Sequence, residues 1–111
     1  MIVLEEEVSG TLIVQVSGKA LDAGTSKSFR KEIKDKLEGR KRVVLDLSKV
    51  GFVDSSGLGV LIACLRQVTA AGGDLKLYGL SAQVRALFEL VRMHRLFSIY
   101  NTLDEAVRAF Q

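Results

Sequence analysis

Gly51-Phe52-Val53-Asp54-Ser55-Ser56-Gly57-Leu58-Gly59-Val60-Leu61 is the stretch on which the reading of the whole chain turns. The apolar run Val43 to Leu47 precedes it, and a long helical pattern follows it. Apolar residues recur at Leu58, Leu61, Ile62, Leu65 and Val68, the spacing of one helix face. Asp54-Ser55-Ser56 therefore stands where a helix begins. Asp and Ser are favoured there because their oxygens accept bonds from the backbone N–H groups a helix start leaves open. Gly57 and Gly59 fall in the first turn, where each weakens a helix by roughly 1 kcal/mol relative to Ala. What they offer is a surface without side chains, on which another backbone or a kinase can approach the serines. A hydroxyl at a helix N-terminus is also well placed to carry a phosphate, because that end favours negative charge. Capping alone would account for Asp54 and Ser55, and it is the common use of these residues.

Working outward, Val43-Val44-Leu45-Asp46-Leu47 is almost continuously apolar, the pattern of a central strand covered on both faces. Asp46 breaks it and reads as a structural hydrogen-bonding residue. On the N-terminal side, Ile2 to Val8 and Thr11 to Ser17 read as a hairpin around Ser9-Gly10 with one buried face. Leu12, Val14 and Val16 point one way, Thr11, Gln15 and Ser17 the other, and Ile13 breaks the alternation. Gly18 to Thr25 reads as a loop, with Thr25 or Ser26 as cap for a helix carrying Phe29, Ile33 and Leu37 inward. Gly39 ends that helix.

On the C-terminal side, Ala70-Ala71-Gly72-Gly73 stops the signature helix, and Leu75 to Tyr78 makes a short strand. Ser81 caps a third helix with Val84, Leu87, Phe88 and Val91 inward. Phe97 to Tyr100 is a last short strand. Thr102-Leu103-Asp104-Glu105 fits a capping box ahead of an amphipathic helix with Leu103, Ala106, Val107 and Phe110. Strand and helix alternate after residue 42, which argues for parallel strands. The expected architecture is α/β, a single domain over 1–111, with a mixed sheet of about five strands and about four helices packed on it.

The chain has 111 residues, 48% of them apolar and 26% charged, the make-up of one globular domain with its own core. A formal charge of +3 is only mildly basic. Arg40-Lys41-Arg42 is the densest basic cluster, and no aromatic residues interleave with it, so it reads as cation placement near a helix end rather than a nucleic-acid patch. Cys64, the single cysteine, falls on the inner face of its helix as a buried, inert thiol. His94 has no second His or Cys near it, and no metal site is expected. Met1-Ile2-Val3-Leu4-Glu5-Glu6-Glu7 is not a secretory signal, and no apolar run reaches membrane-spanning length, so a cytoplasmic protein is expected. Gly18-Lys19 lacks a preceding glycine-rich run, Gly57-Leu58-Gly59 lacks the third glycine of a dinucleotide site, and no paired His and carboxylate stands out. Neither an enzyme nor a cofactor is expected.

Asp54-Ser55-Ser56-Gly57-Leu58-Gly59-Val60-Leu61, after a hydrophobic strand and a short loop, resembles the signature of STAS domains. More closely, it resembles the small bacterial anti-sigma factor antagonists, and the resemblance covers essentially the full chain. It implies that the first Ser after the Asp, here Ser55, is phosphorylated by a partner that is itself the anti-sigma factor. That partner would be a serine kinase of the histidine-kinase-like ATPase type, and a phosphatase would reverse the step. The unmodified protein would bind the kinase and release a sigma factor; phosphorylation would switch binding off. Asp22, Asp54, Ser55, Ser56, Gly57, Leu58 and Gly59 are the expected partner-binding residues. Asp22 enters because the family carries a Gly-x-x-Asp loop, matched loosely by Gly18, Leu21 and Asp22, with Lys19-Ala20 departing from the usual pair. Lys19 could instead attract a phosphate on Ser55. The other reading is a STAS regulatory module of a different pathway, in lipid or metabolite transport or in signalling without a transcriptional output. A third, nucleotide binding or weak hydrolysis, finds no loop to support it.

Overall fold

Ser9 and Gly10 turn the chain with φ of 52° and 80°. Positive φ at both central positions is the backbone of a type I′ hairpin turn, whose twist suits the strands it joins. Those strands are β1 (Ile2–Val8) and β2 (Thr11–Val16), paired antiparallel. The structure is a computed structural model that describes the backbone of residues 1–111 and the side chains of all but Ile2 and Val3. After a short strand β3 (Ala20–Leu21) come helix α1 (Ser26–Leu37), β4 (Arg42–Asp46), a second short strand β5 (Phe52–Val53) and α2 (Ser55–Ala70). Then follow β6 (Asp74–Tyr78), α3 (Ala82–Leu90), a 3-10 turn at Met93–Arg95, β7 (Ser98–Tyr100) and α4 (Leu103–Arg108).

The main sheet runs β1-β2-β4-β6-β7, and every pair except β1/β2 is parallel. This is the mixed sheet expected from the alternation of strand and helix. The order places β4 at the centre, and its near-continuous apolar run follows from that position. Val43 and Leu45 face the large core with Phe29, Ile33 and Leu37 of α1, Leu61, Cys64 and Val68 of α2, and Phe88 of α3. Val44 faces the other way, into a smaller core with Ile13, Ala106 and Val107. Each fully buried side chain of this kind contributes about 1.5–3 kcal/mol.

The second core corrects the expected one-sided hairpin. Strand β2 is buried on both faces because α4 covers the far side, and Ile13 is the residue that α4 needs. Thr11, expected on the open face, is buried as well, and its Oγ1 has no hydrogen-bond partner among the described residues. Lys76 is another buried polar residue on a strand. Its Nζ donates to Asp74 Oδ2 at 2.9 Å and lies 4.6 Å from the centre of the Phe110 ring. Its aliphatic stem packs under α4 while its charge stays partnered.

The helix ends mostly follow their sequence signals. Ser81 Oγ accepts from Val84 N–H at 3.2 Å, and Thr102 Oγ1 accepts from Glu105 N–H at 3.2 Å. The Thr102 hydroxyl donates to Glu105 Oε1 at 2.9 Å, so the box closes side chain to side chain. Val91, expected inward, lies past the end of α3 and is exposed. Asp46 is structural: its Oδ1 accepts from Ser48 N–H at 2.9 Å. Cys64 is fully buried, and burial pushes its thiol up to about 11 against the opposing pull of the Arg30 guanidinium.

Candidate functional site: the lip around the start of α2

The chain read as loop between β2 and α1 contains β3, which pairs in parallel with β5. Strands of two residues carry no periodicity, so neither was visible in the pattern. Their pairing brings the two loops of interest together: the turn after Leu21 and the signature after Val53. Leu21 C=O accepts from Asp54 N–H at 3.3 Å, and Lys19 C=O accepts from Gly51 and Phe52 N–H at 2.8 and 3.1 Å.

Asp54 is the cap of α2. Its Oδ1 accepts from Gly57 N–H and its Oδ2 from Ala23 N–H, both at 3.0 Å. One carboxylate thus closes the helix start and staples the neighbouring loop to it. The bond from Gly57 N–H is the largest of the effects that hold the Asp54 carboxyl below its usual range; the bond from Ala23 N–H adds to it, and partial desolvation opposes it.

Gly57 is buried. A Cβ there would lie 2.1 Å from Leu21 O and 2.9 Å from Leu21 C. The approaching backbone is therefore the protein's own. Gly59, by contrast, has nothing within 4 Å of a Cβ position and is exposed. Of the two glycines expected to bare a surface, Gly59 does so, and Gly57 admits β3. Leu58 is half-buried against the large core.

Ser55 and Ser56 are both exposed. The serines neither cap the helix nor pair with other side chains among the described residues, because Asp54 already meets the capping demand. Asp22 stands on the adjoining turn. Its Oδ1 accepts from Gly24 N–H at 2.9 Å and lies 3.3 Å from the Thr25 hydroxyl oxygen. Its carboxylate shapes the turn opposite the serines, as Asp54 shapes the helix start. Lys19 is exposed at the same lip.

Two features of the lip went unread in the sequence. Phe52, on β5, is 48% exposed, an aromatic side chain set beside the signature helix. Its position on a solvent-facing short strand needed the β3/β5 pair to be known. The second is a groove between α1 and α2, which reaches Ser56.

A model of the STAS domain matches residues 3–106. The anti-sigma F factor antagonist of Paenibacillus polymyxa is 31% identical over 98 residues, covering 86% of this chain and 83% of that protein. The solved structure of an anti-sigma factor antagonist from Mycobacterium paratuberculosis matches with a TM-score of 0.82 at 28% identity, covering 98% of this chain and 93% of that one. SpoIIAA, a Bacillus cell fate determinant solved in its phosphorylated form, shares the fold with a TM-score of 0.71 at 22% identity over 100% of both chains. No helix among the described residues is long and apolar enough to cross a membrane. The chain belongs to the STAS domain family and, within it, to the anti-sigma factor antagonists, which are regulatory binding proteins and not enzymes.

Proposed function

We propose that this chain captures an anti-sigma factor in the cytoplasm and so frees a sigma factor, and that phosphorylation of Ser55 ends the capture. The anti-sigma factor is a serine kinase with the histidine-kinase-like ATPase fold, and a phosphatase resets the cycle. The observation that carries the reading is the exposed Ser55 at the first position of α2, beside a carboxylate whose oxygens are already engaged. A serine so displayed is open to an ATP-bound enzyme. Transfer forms an Oγ–P bond, breaks the bond from the γ-phosphorus to the ADP oxygen and releases the serine proton. The relatives named as anti-sigma factor antagonists support the partner. The phosphorylated form of SpoIIAA is an instance of the modification on the same fold.

The switch is electrostatic. A phosphoryl group adds about −1.5 to −2 charges at neutral pH. The helix start tolerates it, since the N-terminal dipole and open N–H groups favour negative charge. Docking does not, because the dianion would have to shed its water beside the Asp54 carboxylate. Asp22, Asp54, Ser56, Leu58 and Gly59 share the contact surface with Ser55, and Gly57 holds the surface in shape from beneath. A loss of about 3 kcal/mol on docking weakens a complex roughly a hundredfold or more. A pull-down from the source cells with wild-type and Ser55→Asp bait tests this. Wild type should retain the anti-sigma factor and Ser55→Asp should not; equal retention would overturn the reading.

A further inference from the structure

Helix α1 presents three stripes. Phe29, Ile33 and Leu37 face the core. On the flank toward β1, Lys36 Nζ meets Glu5 Oε2 at 2.6 Å, and Glu32 Oε1 meets the N-terminal ammonium at 3.4 Å. The third stripe, Lys27, Lys31 and Lys34, faces α2 with the i, i+4, i+7 spacing of one helix face. All three lysines are exposed, and none has an ion-pair partner among the described residues. They rim a groove of about 500 Å³ that also takes in Ala23 and Val60, and Ser56 stands on its wall. Arg30 crosses it toward α2, donating to Gln67 Oε1 at 2.9 Å.

We infer that this groove seats an acidic, amphipathic segment of the captured anti-sigma factor, its apolar side chains on Ala23 and Val60 and its carboxylates on Lys27, Lys31 and Lys34. The inference rests on the capture of an anti-sigma factor proposed above and adds where, and by what chemistry, the partner is gripped. Charge complementarity selects the occupant: three unpaired cations line one side of a cleft that has apolar walls. Some other cations do pair internally, Arg40 with Glu7 at 2.9 Å and Arg108 with Asp104 at 3.0 Å. The groove also explains the force of the switch. A phosphoryl group at Ser55, the neighbour of Ser56, adds an intramolecular anion at the head of a cleft built to attract a partner's carboxylates. It competes for the same cations as well as repelling the partner.

The test uses the anti-sigma factor retained by wild-type bait, purified, and titrated against three forms of the full chain. They are wild type, Lys27→Glu/Lys31→Glu/Lys34→Glu and, as a control on the opposite end of the domain, Lys41→Glu. Reversal of the three lysines should weaken binding about ten- to hundredfold, with thermal unfolding unchanged, and Lys41→Glu should bind as wild type. Affinity of wild type should fall between about 50 and 200 mM salt, and that dependence should flatten in the triple variant. If the anti-sigma factor binds but the triple variant matches wild type, the groove is not the grip, while the capture reading stands. If no anti-sigma factor is retained by wild type, both fall together. A triple variant that loses retention of a short DNA duplex while binding the anti-sigma factor normally would assign the lysines to nucleic acid and overturn the acidic-segment inference.

Discussion

Helices α1 and α2 start side by side on one lip, and each start carries hydroxyls, yet they dispose of them in opposite ways. At α1, Thr25 Oγ1 accepts from Asp22 N–H and donates to Ala20 C=O, both at 3.0 Å, and the Ser26 hydroxyl donates to Asp22 C=O. Ser26 is buried. Neither hydroxyl caps its helix in the ordinary way; both are consumed in fixing the turn. At α2 a carboxylate does all of that work, and Ser55 and Ser56 stay exposed. Which residue type meets the structural demand thus decides which hydroxyl is left for chemistry. Asp54 frees the serines by taking their place.

The sharpest way to break that arrangement is to push the two starts apart. Gly57→Ala places a methyl 2.1 Å from Leu21 O, so β3 and the turn after it must move away from α2. Overpacking of this kind costs about 1–3 kcal/mol, against roughly 1 kcal/mol gained in helix propensity, and a backbone obstacle belongs at the upper end. A drop in melting temperature of about 10 °C is expected, together with loss of anti-sigma factor binding. Gly59→Ala, two residues on, meets nothing within 4 Å and should leave the melting temperature unchanged or raise it slightly. Differential scanning calorimetry of the pair decides: equal effects would mean that the close approach of Leu21 does not hold the lip together.

The contrast was only half legible in the sequence. The strand-loop-helix order around the signature could be read because Val43 to Leu47 and Leu58 to Val68 have clear and different periods. Asp54 as cap could be read because local hydrogen bonding is set by residue type. What could not be read is everything that depends on the β3/β5 pair. Two paired residues leave no pattern, so the union of Asp22 with Asp54 and the internal role of Gly57 emerge only in three dimensions. Strand β2 shows the same limit. Ile13 broke the alternation, and its reason, the α4 face with Ala106 and Val107, lies some ninety positions away in the chain. The groove beside the lysines of α1 leaves no mark in the sequence either, because it exists only once α2 is packed beside them.

A second way to sharpen the comparison is acid. The Asp54 carboxyl is held below its usual range chiefly by Gly57 N–H, so its folded-state pKa lies below its unfolded one. The stabilisation from the charged form is therefore fully present above the unfolded pKa of about 3.9 and is lost as pH falls through the folded value. Asn keeps a cap of similar quality but cannot titrate. The melting temperature of Asp54→Asn should sit slightly below that of wild type at pH 7, and the gap should close on acidification below about pH 4. A gap that is constant with pH would show that the charge on Asp54 contributes nothing to the join between the two helix starts.

The smallest effect, and the most telling, is in the hydroxyls themselves. Ser26→Ala removes a buried donor, but Asp22 C=O keeps the N–H groups of Thr25 and Ser26 at 3.1 and 2.8 Å. The carbonyl stays satisfied, and the loss should be about 1 kcal/mol. Ser55→Ala removes a side chain that supports nothing, and its effect on stability should stay within about 0.5 kcal/mol. The two variants should part again when incubated with the anti-sigma kinase and radiolabelled ATP. Ser26→Ala should take label as wild type does, because its hydroxyl was never accessible. Ser55→Ala should take none while still binding the kinase. Label that persists in Ser55→Ala would move the acceptor to Ser56, which is exposed one position along and lines the lysine groove. The same helix start would then serve, with the phosphoryl group set directly among the cations that the partner is inferred to use.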